Sequence, residues 1–210
     1  MTEALYLHSD VLKATATVLS CEPLEDGLWA VQLDKTIFHP QGGGQPSDIG
    51  HFNAIEVKKV VHTAEGIIHW LIAPVEGSVE LTVNAALRSL NTRLHSAGHI
   101  IGLVGDRRGW HATRGNHFPG EARVIFEPND PSTIVLPDPL TFENEVNGII
   151  AQGLCRKTAE DHGLRTVTWG DLEPYPCGGT HVLNTRDIGT VHISKIKLKK
   201  GQISVSYSVD

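Results

Sequence analysis

Two pairs of side chains in this sequence have the types and spacing to hold a metal ion. His95-Ser96-Ala97-Gly98-His99 puts two imidazoles four residues apart. On a helix such residues lie one above the other, so both rings face the same way and can grip one ion. Alone the spacing is weak, because two helix histidines at that offset also occur with nothing between them. Cys177-Gly178-Gly179-Thr180-His181 supplies a second pair, a thiol and an imidazole separated by two glycines and a threonine. Gly178 and Gly179 disfavour a helix and let the backbone bend until both ligands converge. Zinc accepts mixed Cys and His sets, with four protein ligands in structural sites and three plus water in catalytic ones. Cys177 by itself would read as a small buried hydrophobe. The two matched pairs together point to a metal.

A second feature is the run Thr36 to Gly50, which contains Gly42-Gly43-Gly44-Gln45. Consecutive glycines expose backbone N–H groups and allow close approach of a ligand or another segment. The glycines alone would be a flexible turn, but Thr36, Gln45 and Ser47 add short hydrogen-bonding side chains and favour recognition. No Gly-Lys-Ser/Thr ending follows, so nucleotide hydrolysis is unsupported. Gly43-Gly44-Gln45 also matches the peptidyl-tRNA-hydrolysing tip of release factors, but the basic flanks expected there are missing. Cys177 as a nucleophile activated by a nearby histidine is a further option. Its spacing to His181 favours ligation.

These groups need elements to position them. Residues 1–84 read as short strands broken by turns: Trp29–Leu33, Ile55–Val61 and Gly66–Leu71, separated by Glu25-Asp26-Gly27, Pro40–Gly50, Ala64-Glu65-Gly66 and Val75-Glu76-Gly77. That spacing predicts a small antiparallel β-barrel-like domain carrying the glycine-rich loop. Near residue 84 the period changes. Asn84 can cap a helix on which Leu87, Leu90, Leu94, Ile101 and Val104 share a face. A second helix is predicted from Phe142 to Lys157, and strands at Arg123–Glu127, Thr166–Trp169, Gly189–Lys199 and Ile203–Val209, with a hairpin turn at Lys200-Gly201. The fold class is therefore α+β, divided into residues 1–84 and an α+β domain over 85–210, with the metal site between a helix and a Cys-x-x-x-His loop.

The 210 residues suffice for one large or two small domains with a real core. Eighteen basic against 24 acidic residues give a net charge of −6, which excludes a uniformly basic nucleic-acid coat. No apolar run is long enough to cross a bilayer, and the start, MTEALYLHSD, lacks the basic-then-apolar pattern of a signal peptide. Three scattered cysteines suit a reducing compartment, so a cytoplasmic location is expected. Lys195, Lys197 and Lys199 would share one face of a strand, and Arg88, Arg93, Arg107, Arg108 and Arg114 lie in or after the first helix. Together they could form a local phosphate-binding surface.

With these segments in hand, the sequence resembles the AlaX family of freestanding alanyl-tRNA editing proteins, related to the editing domain of alanyl-tRNA synthetase. The matching stretches are Thr36–Gly50, His95–His99, Glu145–Ile150 and Cys177–Val182 continuing to Thr185–Gly189, in the family's order. The resemblance implies a zinc-dependent deacylase that acts in trans on mischarged tRNA(Ala), removing chiefly serine, with glycine as the second candidate. It implies zinc at His95, His99, Cys177 and His181, and a part for Thr36 in amino-acid discrimination; Gln45 is the next candidate for that contact. His39 stands where Tyr is common, and Gly98 where synthetase versions commonly carry Thr.

The chemistry is coherent. Hydrolysis of an aminoacyl ester needs a water, a stabiliser for the developing oxyanion and a grip on the amino acid. Four protein ligands would fill a tetrahedral site, so either one of the four is loose, the coordination expands, or the ion holds the substrate's amino group. A pocket that hydrogen-bonds the serine hydroxyl penalises alanine by leaving a buried partner unpaired. Two other readings stay open. One is a zinc-dependent hydrolase of another ester, indifferent to RNA; the other is a non-enzymatic zinc-stabilised RNA-binding module that unfolds on chelation.

Overall fold

The computed structural model describes residues 2–132 and 134–210. The chain divides into two compact units. One runs up to Gly42 and resumes over Pro46–Ser89; the other comprises Gly43–Gln45 and Leu90–Asp210.

The first unit contains β1 (Glu3–Ala4), β2 (Lys13–Pro23), β3 (Trp29–Leu33), β4 (Lys35–Thr36), β5 (Gly50–Phe52), β6 (Ile55–Thr63), β7 (Gly66–Leu71) and β8 (Ser78–Val83). Six of these strands close a barrel in the order β2-β3-β7-β6-β5-β8, while β1 pairs in parallel with β4. Strand alternation explains the interior: in β7, Ile67, His69 and Leu71 are buried and their neighbours are not. They pack with Val31, Leu33, Phe38, Phe52 and Leu81, and closure leaves the six strands without a free edge.

The loop from β4 to β5 is pinned at its base. His39 N–H donates to the Asp48 carboxylate, and Asp48 N–H donates back to His39 O at 2.9 Å. Arg88 bonds both oxygens of Asp48 and donates to Ile37 O at 2.6 Å. Asp48 and Arg88 are both buried, so each charge depends on the other and on these backbone partners. Arg88 is therefore spent inside the first unit, which removes it from the predicted phosphate-binding surface.

Helix α1 (Ala85–Arg107) begins where Asn84 Oδ1 accepts from Leu87 N–H at 3.1 Å. Leu94, Ile101 and Val104 are buried along it, whereas Leu87 is exposed. The second unit continues with β9 (Trp110–Asn116), β10 (Arg123–Pro128), α2 (Pro139–Ile150), β11 (Arg156–Asp161), β12 (Leu164–Trp169), β13 (Tyr175–Pro176), β14 (Val191–Lys199) and β15 (Gln202–Val209). One sheet has the order β14-β15-β10-β9 and the other β11-β12-β13. Their core gathers the α1 face, Phe126, Trp169, Ile203 and Val205 with Phe142, Val146, Ile149 and Ile150 of α2.

The second helix ends at Ile150, seven residues before the predicted Lys157. Gly153 takes φ 69°, a left-handed backbone that stops the helix, and Arg156 is already paired with Trp169 in β11. Leu154, at the right offset for the helix, packs on the core from the turn instead. Strands β9 and β13 lie outside the predicted elements, and β11 begins inside the stretch predicted as helix.

Candidate metal centre

His95 and His99 sit one turn apart in the middle of α1, a position set by the helix alone. Cys177 and His181 lie in the irregular segment after β13. The backbone there is tied down by arginines: Arg165 donates to Cys177 O at 2.7 Å and Gly179 O at 3.1 Å, and Arg156 donates to His181 O. Trp169 Nε1–H donates to Val182 O at 3.0 Å. Across 82 residues of sequence the two pairs converge, with the candidate ligand atoms of His95, His99, Cys177 and His181 all within 4.8 Å of one another.

Second contacts aim the rings. Gln45 Oε1 lies 2.6 Å from His95 Nδ1 and also accepts from Thr180 N–H at 3.1 Å. An amide oxygen only accepts, so His95 carries its hydrogen on Nδ1 and presents Nε2, 3.5 Å from Cys177 Sγ. His181 Nδ1 lies 3.3 Å from Ser96 Oγ, and its Nε2 is 3.2 Å from the same sulfur. A tetrahedral ion at ordinary nitrogen and sulfur distances spaces neighbouring ligand atoms roughly 3.3–3.6 Å apart. His99 Nδ1 is buried with no hydrogen-bond partner among the described residues, as a ring directed at an ion rather than at protein allows. The donor set fits a soft or borderline cation.

The electrostatics favour ligand forms. Burial lowers His99 to about 3, helped by neighbouring His117 and Arg165, and holds His181 well below its ordinary value, so both are neutral with lone pairs available. Burial pushes the Cys177 thiol up, against the Gly179 N–H at 3.3 Å from its sulfur and the Arg165 charge, which favour thiolate. Without a cation this environment protonates the sulfur; a bound cation reverses that.

Gln45 is fully buried, and its Nε2 donates to Thr180 Oγ1 at 2.8 Å, so both ends of its amide are engaged. Gly43 and Gly44 take φ 55° and 77°, which only glycine adopts at little cost, and Gly44 O accepts from His117 N–H at 2.8 Å. Thr36 belongs to the barrel unit and is fully buried. Its Oγ1 is 2.8 Å from His69 Nε2 and accepts from Phe38 N–H at 3.1 Å. His69 Nδ1 faces Val31 O at 3.2 Å and must donate there, so Thr36 gives its hydrogen to Nε2 and keeps one acceptor lone pair.

Sequence reasoning missed His117, whose ring stacks on His95 with centroids 4.7 Å apart and planes at 21°. A Cβ at Gly98 would run into that ring, so the glycine found where synthetase versions commonly carry Thr is matched to this histidine. Ser96, Arg156 and Arg165 were missed too. None has a partner at a telling spacing, so no local signal marked them.

Known proteins resemble this chain along its length. A family model described as the threonyl and alanyl tRNA synthetase second additional domain matches residues 164–204, which include Cys177 and His181. The alanyl-tRNA editing protein AlaX-M of Methanosarcina acetivorans is 28% identical, with 95% of each chain covered. The alanine–tRNA ligase of Korarchaeum cryptofilum is 31% identical over 84% of this chain but only 23% of its own length. The alanyl-tRNA editing protein AlaX-M of Pyrococcus horikoshii is 31% identical over 94% of this chain and 91% of its own. With that identity sustained across nearly the whole of both, the chain belongs to the family of alanyl-tRNA editing proteins.

Proposed function

We propose that this protein is a zinc-dependent aminoacyl-tRNA deacylase that clears mischarged tRNA(Ala) in trans, chiefly Ser-tRNA(Ala) and secondarily Gly-tRNA(Ala). Family membership supports the tRNA(Ala) part of the reading. The observation that carries the chemistry is the convergence of His95, His99, Cys177 and His181 from two distant segments. Zinc held there would supply Lewis acidity to ester hydrolysis. The chain's own residues do the rest: Gln45 and Ser96 fix which nitrogen His95 and His181 present, and Arg165 and Arg156 hold the Cys177–His181 turn. Gln45 acts through His95 as a positioning residue. Thr36→Val is expected to narrow the preference for Ser- over Ala-charged tRNA while leaving bound metal unchanged.

A second reading, a zinc-stabilised RNA-binding module without activity, draws its support from the donor count, because four protein ligands would fill a tetrahedral site. One experiment separates the two. Purified protein is assayed on Ser-, Gly- and Ala-charged tRNA(Ala), with and without chelator, alongside metal analysis and circular dichroism. Deacylation of Ser-tRNA(Ala) that chelator abolishes and zinc restores supports the enzyme. No hydrolysis, with unfolding on chelation, supports the module, and hydrolysis at full rate without metal defeats the zinc assignment.

A further inference from the structure

A cleft of about 250 Å³ opens beside the metal-ligand group, lined by Gly98, His99, Gly102, Gly115, His117 and Tyr175 among others. It is smaller than the ~300–1,000 Å³ typical of sites for drug-sized ligands, as suits a single amino acid. His99 is the one metal candidate in its wall. His117, just past the end of β9, is 5% exposed.

The hydrogen bonding of His117 fixes its tautomer. Tyr207 O–H donates to Leu94 O at 2.9 Å, and that spends the phenol's one hydrogen. His117 Nδ1 lies 2.6 Å from the same phenol oxygen, so it is Nδ1 that carries the ring hydrogen and donates. Nε2 is left as the ring's acceptor, with a lone pair available. Gly98 and Gly115 clear the space around the ring, since a Cβ at either would collide with it. A histidine kept only for packing has no use for a fixed tautomer, yet here it lines a cleft with its acceptor nitrogen free to serve a ligand.

We propose that His117 is a specificity-determining contact, with Nε2 accepting a hydrogen bond from the side-chain hydroxyl of a seryl group seated in this cleft. The proposal rests on the seryl-tRNA reading above. It requires a donor on the substrate side chain, which serine has and glycine and alanine lack. Occupancy by the hydroxyl pairs the lone pair; a substrate without one forgoes that bond.

The test is single-turnover deacylation of Ser-charged tRNA(Ala), with Gly- or Ala-charged tRNA as the hydroxyl-free control. The zinc-loaded wild type, His117→Phe, His117→Gln and Tyr207→Phe are compared, and the metal content of each is measured. Phe keeps the stack on His95 and removes the acceptor. We expect His117→Phe to lose ten- to a hundredfold on the seryl substrate, with the control within threefold and metal retained. Gln, whose amide oxygen can replace Nε2, should recover part of the loss. Equal losses on both substrates, loss of metal, or an unchanged seryl rate would each overturn the proposal. Should His117→Phe fail to fold, Tyr207→Phe decides: with the tautomer released, the seryl-to-control ratio should fall, and an unchanged ratio overturns it. A wild type inactive on every charged tRNA would instead sink the functional reading itself.

Discussion

Gln45 shows how one buried amide orients a candidate ligand it does not replace. Its oxygen takes the Nδ1 hydrogen of His95 and the N–H of Thr180, tying the glycine loop to both pairs of the metal group at once. Replacing it with Leu preserves bulk and removes the acceptor, so metal affinity should drop ~10–100-fold, as measured for comparable outer contacts in other sites. Competition with a chromophoric chelator reads this directly, and an unchanged affinity would show that His95 needs no such holder. Gly179→Ala should act in the same direction for a steric reason, because the added Cβ would overlap the His95 ring. At this scale the ligand types were legible, since the two pairs sit at offsets that local geometry explains. Gln45 as the partner of His95 was not, because a distance of 50 residues leaves no trace in spacing.

Helix α1 carries the histidines in register only if it lies flat on its sheet, and Gly105 makes that approach possible. A Cβ there would enter the ring of Phe126 in β10. Gly105→Ala should therefore destabilise by about 1–3 kcal/mol despite its better helix propensity. A urea midpoint at or above wild type would refute the packing account. The barrel makes its own prediction. Burial lowers both His39 and His69 to about 4. Unfolded, these rings take protons as pH falls through about 6.5, while the folded forms resist until near 4. The unfolded state thus binds more protons across that window. Stability is full above 6.5 and declines toward 4, by on the order of 3 kcal/mol for each ring. Urea midpoints of the barrel's Trp29 and Trp70 fluorescence at pH 7.5 and 5 should differ accordingly; matching midpoints would count against it. Element prediction went astray where apolar spacing outlived the helix. Leu154 continues the period of α2, but Gly153 and the pairing of Arg156 with Trp169 turn the chain into a strand. Strand β9 was missed because Trp110–Asn116 is mostly polar and glycine-containing, and its place comes from pairing with β10 rather than from its own pattern.

At the scale of the molecule, a net charge of −6 has to be reconciled with a polyanionic partner. Lys195, Lys197 and Lys199 are all exposed along β14, whereas Arg108 is committed to Glu145, and Arg93 to Ile188 O and Asp210 O. If the lysines meet phosphates, changing all three to Ala should weaken tRNA binding. The dependence of log affinity on log salt should also flatten by about 2–3, because each of three neutralised phosphates contributes ~0.7–0.9 to that slope. An identical slope would place the phosphate-binding groups elsewhere.

Alone, the sequence settled what depends on neighbours along the chain. The two imidazoles four apart follow from the pitch of a helix, and the cap at Asn84 follows from one side chain reaching three residues ahead. The strand-and-turn rhythm of the first half belongs to the same class. Tertiary structure decided what depends on distant segments meeting. It brought Cys177 to His95, set Gln45 behind the ring, and turned His117 into a wall of the cleft. Those contacts arise from packing across dozens of residues, where periodicity carries no information, and only a folded core can specify them.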